Sequence, residues 1–254
     1  MTRTIGIISG KGGVGKTTIT ANLSVALSLK FAKKVTAVDC NLTTSHLGMH
    51  FGIFFYPKTF NDFLKGDVAI NDVTYQHATG VNILPASLNL SDLVGINIFE
   101  IREKLQNSLT HSDFVFLDTA PGFGKEALSA IRACEEALLL TTPELPSVTD
   151  ILKAKNILQQ MNVRCLGVIV NKVTGKKFEL TKKEIEETVD IEVIGQIPFS
   201  FEFSESLSNK TPLVAYNQMS RASIEIFKIA AYLIGENYKE PSLFEKIFSR
   251  IFKV

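Results

Sequence analysis

Cysteine is scarce in this 254-residue chain, and net charge is scarcer still. Cys40, Cys134 and Cys165 stand far apart, without a CxxC pair or a Cys/His cluster. That spacing argues against a disulfide framework, a zinc site and an iron–sulfur cluster held within one chain, and it suits a reducing compartment. Lysine and arginine total 27 against 26 aspartates and glutamates, a formal charge of +1. No whole-molecule field therefore draws the chain to nucleic acid. No stretch reaches the roughly 18 apolar residues that cross a bilayer. Internal repeats and low-complexity tracts are missing too. The apolar run "TIGIIS" begins at residue 4. It leaves no room for a signal peptide, so a cytoplasmic location is expected. What is present is the material of a globular domain: 45% apolar residues, 21% charged, and a length suited to one large α/β domain.

Short apolar runs recur along the chain: "TIGIIS" (4–9), "VTAVDC" (35–40), "VNILPA" (81–86), "FVFLDT" (114–119), "ALLLTT" (137–142), "CLGVIV" (165–170) and "VIGQIP" (193–198). They are continuous in polarity instead of alternating, as strands covered on both faces of a parallel sheet are. Helical patterns lie between them near 16–30, 98–109, 124–134, 146–161 and 178–189, with a longer one near 216–235. This alternation predicts a single doubly wound, mainly parallel α/β sheet. After Ile234, "GENYKEP" (235–241) reads as a linker. The expected layout is a domain over 1–236, a linker over 237–241 and a distinct segment over 242–254.

"SGKGGVGKTT" (9–18) carries the strongest chemistry. Gly10, Gly15, Lys16 and Thr17 satisfy GxxxxGK[ST], with an apolar strand before and a helical pattern after, the context a phosphate-binding loop requires. Its glycines let the backbone curl so that successive N–H groups point at phosphate oxygens. The helix starting near Lys16 adds its positive end. Gly10, Lys11, Gly12, Gly13, Val14, Gly15, Lys16, Thr17 and Thr18 are the candidate phosphate-binding residues. Lys16 suits the β- and γ-phosphates, and the Thr17 hydroxyl suits Mg²⁺. In "FVFLDTAPG" (114–122), Asp118 ends an apolar strand, where a carboxylate holds Mg²⁺ directly or through water.

The second lysine of the loop, Lys11 in "KGGVGKT", resembles the deviant Walker A motif of the MinD/ParA/NifH family of ATPases. The resemblance covers roughly residues 3–235; "PELPSVTDILKA" (143–154) and the order of the motifs are similar to the MinD branch, archaeal-type members nearest. It implies a P-loop NTPase fold, ATP and Mg²⁺ as ligands with ADP as product, and a homodimer in which Lys11 reaches the partner's nucleotide. Asp-Thr-Ala-Pro-Gly (118–122) looks like the turn that responds to the γ-phosphate in that family. Asn171 in "VIVNKV" (168–173) stands where the family reads adenine, and Pro198 in "QIPFS" (196–200) where backbone lies along the base. Lys11, Lys16, Asp39 and Asn41 are the residues on which hydrolysis would depend.

One position departs from the pattern. The MinD branch usually has D-x-D after the second strand, the second Asp serving the attacking water. This chain has Asp39, Cys40 and Asn41 in "VDCNLTTSHLG". An amide can orient water but supplies no negative charge and takes up no proton. Binding is expected to survive and turnover to be slow. Nearby, His46 and His50 have i, i+4 spacing but no third ligand in view, and solvent-exposed loop histidines are expected.

The chain closes on "SLFEKIFSRIFKV" (242–254). Ser242 and Glu245 make an S-x-x-E capping box after Pro241. At about 100° per residue, Leu243, Phe244, Ile247, Phe248, Ile251, Phe252 and Val254 fill one side and Glu245, Lys246, Ser249, Arg250 and Lys253 the other. This is the pattern of an interfacial membrane helix with a basic polar face. MinD proteins are similar in ending on a membrane-targeting helix. Each large apolar side chain gains roughly 1.5–3 kcal/mol on burial, against about 1 kcal/mol per residue for ordering the segment. One such helix binds weakly, whereas two on one dimer gain about 10²–10⁴-fold in avidity. The expected protein is a peripheral membrane ATPase on the inner face of the cytoplasmic membrane. ATP drives its dimerisation, and it positions a division site or another cellular structure with an activating or cargo protein, and without nucleic acid. The alternatives are an ATP-binding scaffold with little hydrolysis and a ParA-type DNA-partition ATPase.

Overall fold

The computed structural model describes residues 2–242. The terminal-helix residues Leu243, Phe244, Ile247, Phe248, Ile251 and Phe252 lie outside the described residues. Strands β1 (Arg3–Ile8), β2 (Val35–Cys40), β3 (Tyr75–Gln76), β4 (Asn82–Leu84), β5 (Phe114–Thr119), β6 (Glu136–Thr141), β7 (Arg164–Val173) and β8 (Val193–Pro198) form one sheet in the order β3-β4-β2-β5-β1-β6-β7-β8. Every pairing is parallel except β3 with β4. The doubly wound sheet expected from the sequence is the one observed.

The continuous apolar runs follow from two covered faces. Ile5 and Ile7, Phe114 and Phe116, and Leu138 and Leu140 face one side. Helices α1 (Lys16–Phe31), α9 (Leu213–Tyr216) and α10 (Arg221–Leu233) cover it. Val115 and Leu117, Ala137 and Leu139, and Val168 and Val170 face the other side. Here the cover is α3 (Phe60–Lys65), α4 (Ile101–Ser108), α5 (Lys125–Ala133), α6 (Leu145–Gln160) and α7 (Lys182–Val189). Because side chains alternate along a strand, two buried faces leave no polar position in its middle. Truncating a fully buried aromatic such as Phe116 to alanine would cost about 3–5 kcal/mol. At the foot of the sheet, Glu136 takes Arg3 Nε at 2.7 Å and also Arg164, joining β1, β6 and β7.

Several boundaries differ from the sequence expectation. The pattern over 178–189 becomes a helix only from Lys182, where Thr181 and Glu184 form a capping box. The pattern over 216–235 becomes a helix only from Arg221, after α9 has ended at Tyr216, because Ser220 caps a fresh start by accepting from Ser223 N at 3.0 Å. The expected strand over 81–86 stops at Leu84, since Pro85 has no N–H to donate. Five helices and strands escape the sequence patterns: β3, α2 (Leu47–His50), α3, α8 (Glu202–Ser208) and, but for its last residue, α9. No helix among the described residues is long and apolar enough to cross a membrane.

Candidate functional site

Strand β1 is central, and the strand order reverses beside it, which opens a crevice at the carboxyl ends of the strands. The loop from Ser9 to Gly15 fills this crevice. Gly13 (φ 79°) and Gly15 (φ 101°) adopt the left-handed conformation that a Cβ penalises. Gly15 is also the N-cap of α1, with no capping side chain and no acidic residue in the first turn. The free N–H groups there are left for an anion. Gly10 is glycine for a different reason: a Cβ would lie 2.3 Å from Asp150 Cβ on α6. Lys16 Nζ donates to Ser9 Oγ at 3.0 Å, and Ser9 Oγ donates to Lys11 O at 2.8 Å. Burial lowers the Lys16 pKa, and Asp118 partly restores it.

Asp118 is 1% exposed, and neither of its carboxylate oxygens has a hydrogen-bond partner among the described residues. The Thr17 hydroxyl and Lys16 approach it and favour its charged form, without meeting hydrogen-bond geometry. Burial first, and then the charge of Asp39, push its pKa well above the carboxylate range. An orphaned buried carboxylate beside a hydroxyl and a glycine cradle is the donor set that a hard cation bound to phosphate needs. The residues fit Mg²⁺.

Asp39 is the cross-strand neighbour of Asp118. Its oxygens accept from Asn41 N (3.1 Å), Ser45 Oγ (2.7 Å) and Leu47 N (3.1 Å), and burial raises its pKa. It anchors the loop that leads into α2 and does not line the cavity. Asn41 does line it, but both amide atoms are engaged: Nδ2 donates to Thr44 O (2.8 Å) and Oδ1 accepts from Thr44 Oγ1 (3.0 Å).

The cavity measures about 740 Å³. Of the residues expected at the phosphates, Gly12, Gly13, Gly15, Lys16, Thr17 and Thr18 line it. Lys11 points outward and exposed, and Val14 is buried in the core. Asn171 and Pro198 also reach the wall. Asn171 does more than was expected: its Nδ2 donates to Val14 O at 2.7 Å and braces the loop from behind, leaving its carbonyl oxygen and second amide hydrogen unspent. Pro121 of the 118–122 turn lines it too, as do Lys172, Phe199 and His46, and further wall comes from Phe203, Leu207 and Met49, which carried no motif signal. The expectation of solvent-exposed loop histidines fails for His50. It is half-buried on α2, where burial and His46 lower its pKa to about 4.

The description "CobQ/CobB/MinD/ParA nucleotide binding domain" matches residues 5–213. The chain belongs to that family. It is 35% identical to an uncharacterised ATP-binding protein of Methanocaldococcus jannaschii, over 98% of this chain and 96% of that one. It is 31% identical to the septum site-determining protein MinD of Thermotoga maritima, over 93% and 89%. The solved structure of MinD from Pyrococcus horikoshii complexed with Mg-ADP superposes with a TM-score of 0.88 at 32% identity, covering 92% of this chain and 96% of that chain. Within this MinD/ParA-type frame, Asp39 and Asn41 are the positions where the geometry adds most to the motif. The first is a saturated anchor, and the second is a neutral side chain held in place by its own loop.

Proposed function

We propose that the chain binds Mg-ATP, dimerises on it, docks on the inner face of the cytoplasmic membrane through residues 242–254, and is released by slow hydrolysis to ADP. Its work on this reading is to position a division site or another cellular structure, together with an activating or cargo protein. The observation that carries the nucleotide reading is Asp118, buried with both oxygens unpartnered behind a glycine cradle. When bound, Mg²⁺ with the triphosphate supplies the charge neutralisation that phosphoryl transfer needs. The chain's own residues do the rest. The free N–H groups at the start of α1 orient phosphate oxygens, and Lys16 neutralises them from a buried position. The Asn171 carbonyl can accept from a base with an exocyclic amine, while one Nδ2 hydrogen is held by Val14 O. Lys11, exposed on the rim, is free to meet a second copy.

A second reading, an ATP-binding scaffold with little hydrolysis, is favoured by the engagement of both Asn41 amide atoms with Thr44. Those bonds hold the amide in its own loop and leave one Nδ2 hydrogen and one Oδ1 lone pair, with no freedom to turn towards a water. Co-sedimentation with vesicles containing anionic lipid, in ATP and in ADP, tests the membrane switch. The natural chain should pellet in ATP only, and Phe248→Glu should stay in solution. Equal pelleting in both nucleotides sinks the switch, and undiminished pelleting of the variant sinks the anchor.

A further inference from the structure

The strands β7 and β8 fall out of register between Val170 and Val173. Val170 pairs with Gln196 and Val173 with Pro198, so three steps along β7 match two along β8. One extra residue is therefore inserted in β7, which is a β-bulge. Lys172 sits in it with φ 61°, a left-handed conformation that a lysine adopts at a cost. Ordinary alternation would send Asn171 and Lys172 to opposite faces. The bulge sends both to the phosphate loop. Asn171 Nδ2 donates to Val14 O and Lys172 Nζ donates to Gly13 O, each at 2.7 Å.

These two carbonyls belong to consecutive peptide units. In a trans peptide the N–H points opposite to the C=O. Tying back the Gly13 and Val14 carbonyls therefore turns the Val14 and Gly15 N–H groups away from β7 and into the cradle. Ser9 Oγ, bonded to Lys11 O at 2.8 Å, does the same for the Gly12 N–H from the other side. The glycines on either side of Val14 make the loop pliable, so its aim must come from outside it. Gly15 passes so close beneath Asn171 that a Cβ would lie 2.6 Å from Nδ2.

We propose that the β7 bulge presents Asn171 and Lys172 as a two-pronged clamp on the phosphate loop, with Lys172 a positioning residue that pre-aims backbone N–H groups at the triphosphate. The clamp rests on the Mg-ATP reading of the site. It also explains why a left-handed position is occupied by lysine, where glycine would be unstrained.

Lys172→Gly removes the prong and the strain together, which separates function from fold. Titration of the full chain with Mg-ATP should show affinity weakened about tenfold, the scale of one hydrogen bond from a charged donor. The nucleotide-free variant should melt at or above the temperature of the natural chain. Amide exchange over residues 12–16, measured without nucleotide, should be faster in the variant. Lys172→Arg keeps a cationic donor and should recover most of the affinity; Lys172→Met should not. Unchanged affinity in Lys172→Gly, or a parallel loss of affinity and melting temperature, overturns the clamp. A natural chain that fails to bind Mg-ATP overturns the nucleotide reading itself, and that outcome is read before any variant is made.

Discussion

Replacing Asp118 by asparagine should make the nucleotide-free protein more stable while disabling its metal site. The Asp118 carboxylate is 1% exposed with both oxygens unpartnered, and Asp39 is its direct neighbour across β2 and β5. Leaving a buried polar group unsatisfied costs about 1–3 kcal/mol, and a charge costs more. The near-isosteric amide removes the charge and keeps the volume, so a gain of about 2 kcal/mol is expected at pH 8. For a chain of this size each kcal/mol moves the melting temperature by about 2–4 °C, so the shift is about 4–8 °C. The pH dependence fixes the sign. Burial raises the folded-state pKa of both Asp118 and Asp39 above the unfolded value, so the native state holds protons that the unfolded chain has released. Stability is then highest at low pH and falls as pH rises from the ordinary carboxylate value, about 4, towards the raised ones. Thermal melts of the natural chain at pH 6 and pH 8, without nucleotide, should show the lower temperature at pH 8. Asp118→Asn should flatten that slope, and added Mg-ATP should stabilise the natural chain far more than the variant. A variant that melts lower than the natural chain at pH 8 would refute the claim that this carboxylate is held at a cost.

Two further outcomes follow from the loops around the cavity. Asn41→Asp should raise the ATP turnover measured by phosphate release. It should also lower the melting temperature, because the lost Nδ2 donor leaves the Thr44 carbonyl facing a carboxylate, a cost of about 1–3 kcal/mol. Equal or slower turnover would remove Asn41 from the hydrolytic step. Lys11→Ala should leave Mg-ATP affinity of the single chain within about threefold, since losses under about 0.7 kcal/mol are typical of exposed cations, yet abolish ATP-dependent dimers in light scattering; dimers that persist would show that Lys11 does not bridge two copies.

The long strands were legible because burial on both faces writes an unbroken apolar word, as in "FVFLDT". The phosphate loop was legible because glycine, lysine and threonine have fixed offsets along one short stretch. What stayed hidden depends on partners remote in sequence or on backbone atoms. Asn171 braces Val14 across a separation of 157 residues, and its acceptor is a carbonyl that every residue type carries. Nothing in "VDCNLTTSHLG" says that Ser45 and Leu47 will saturate Asp39. Lys172 looks like an ordinary surface lysine until the register of β7 against β8 is known. Strand β3 has two residues, too few to show a period.

The sheet ends on one side in that two-residue antiparallel stub and on the other in β8, which pairs with β7 through register shifts and ends at Pro198. Neither flank offers a long, flat row of idle amide and carbonyl groups to a neighbouring sheet. Copies of this chain are thereby steered away from ribbon-like stacking side by side. On the proposed function, pairing of two copies falls to the rim that carries the phosphate loop, where it can be made conditional on what that loop holds.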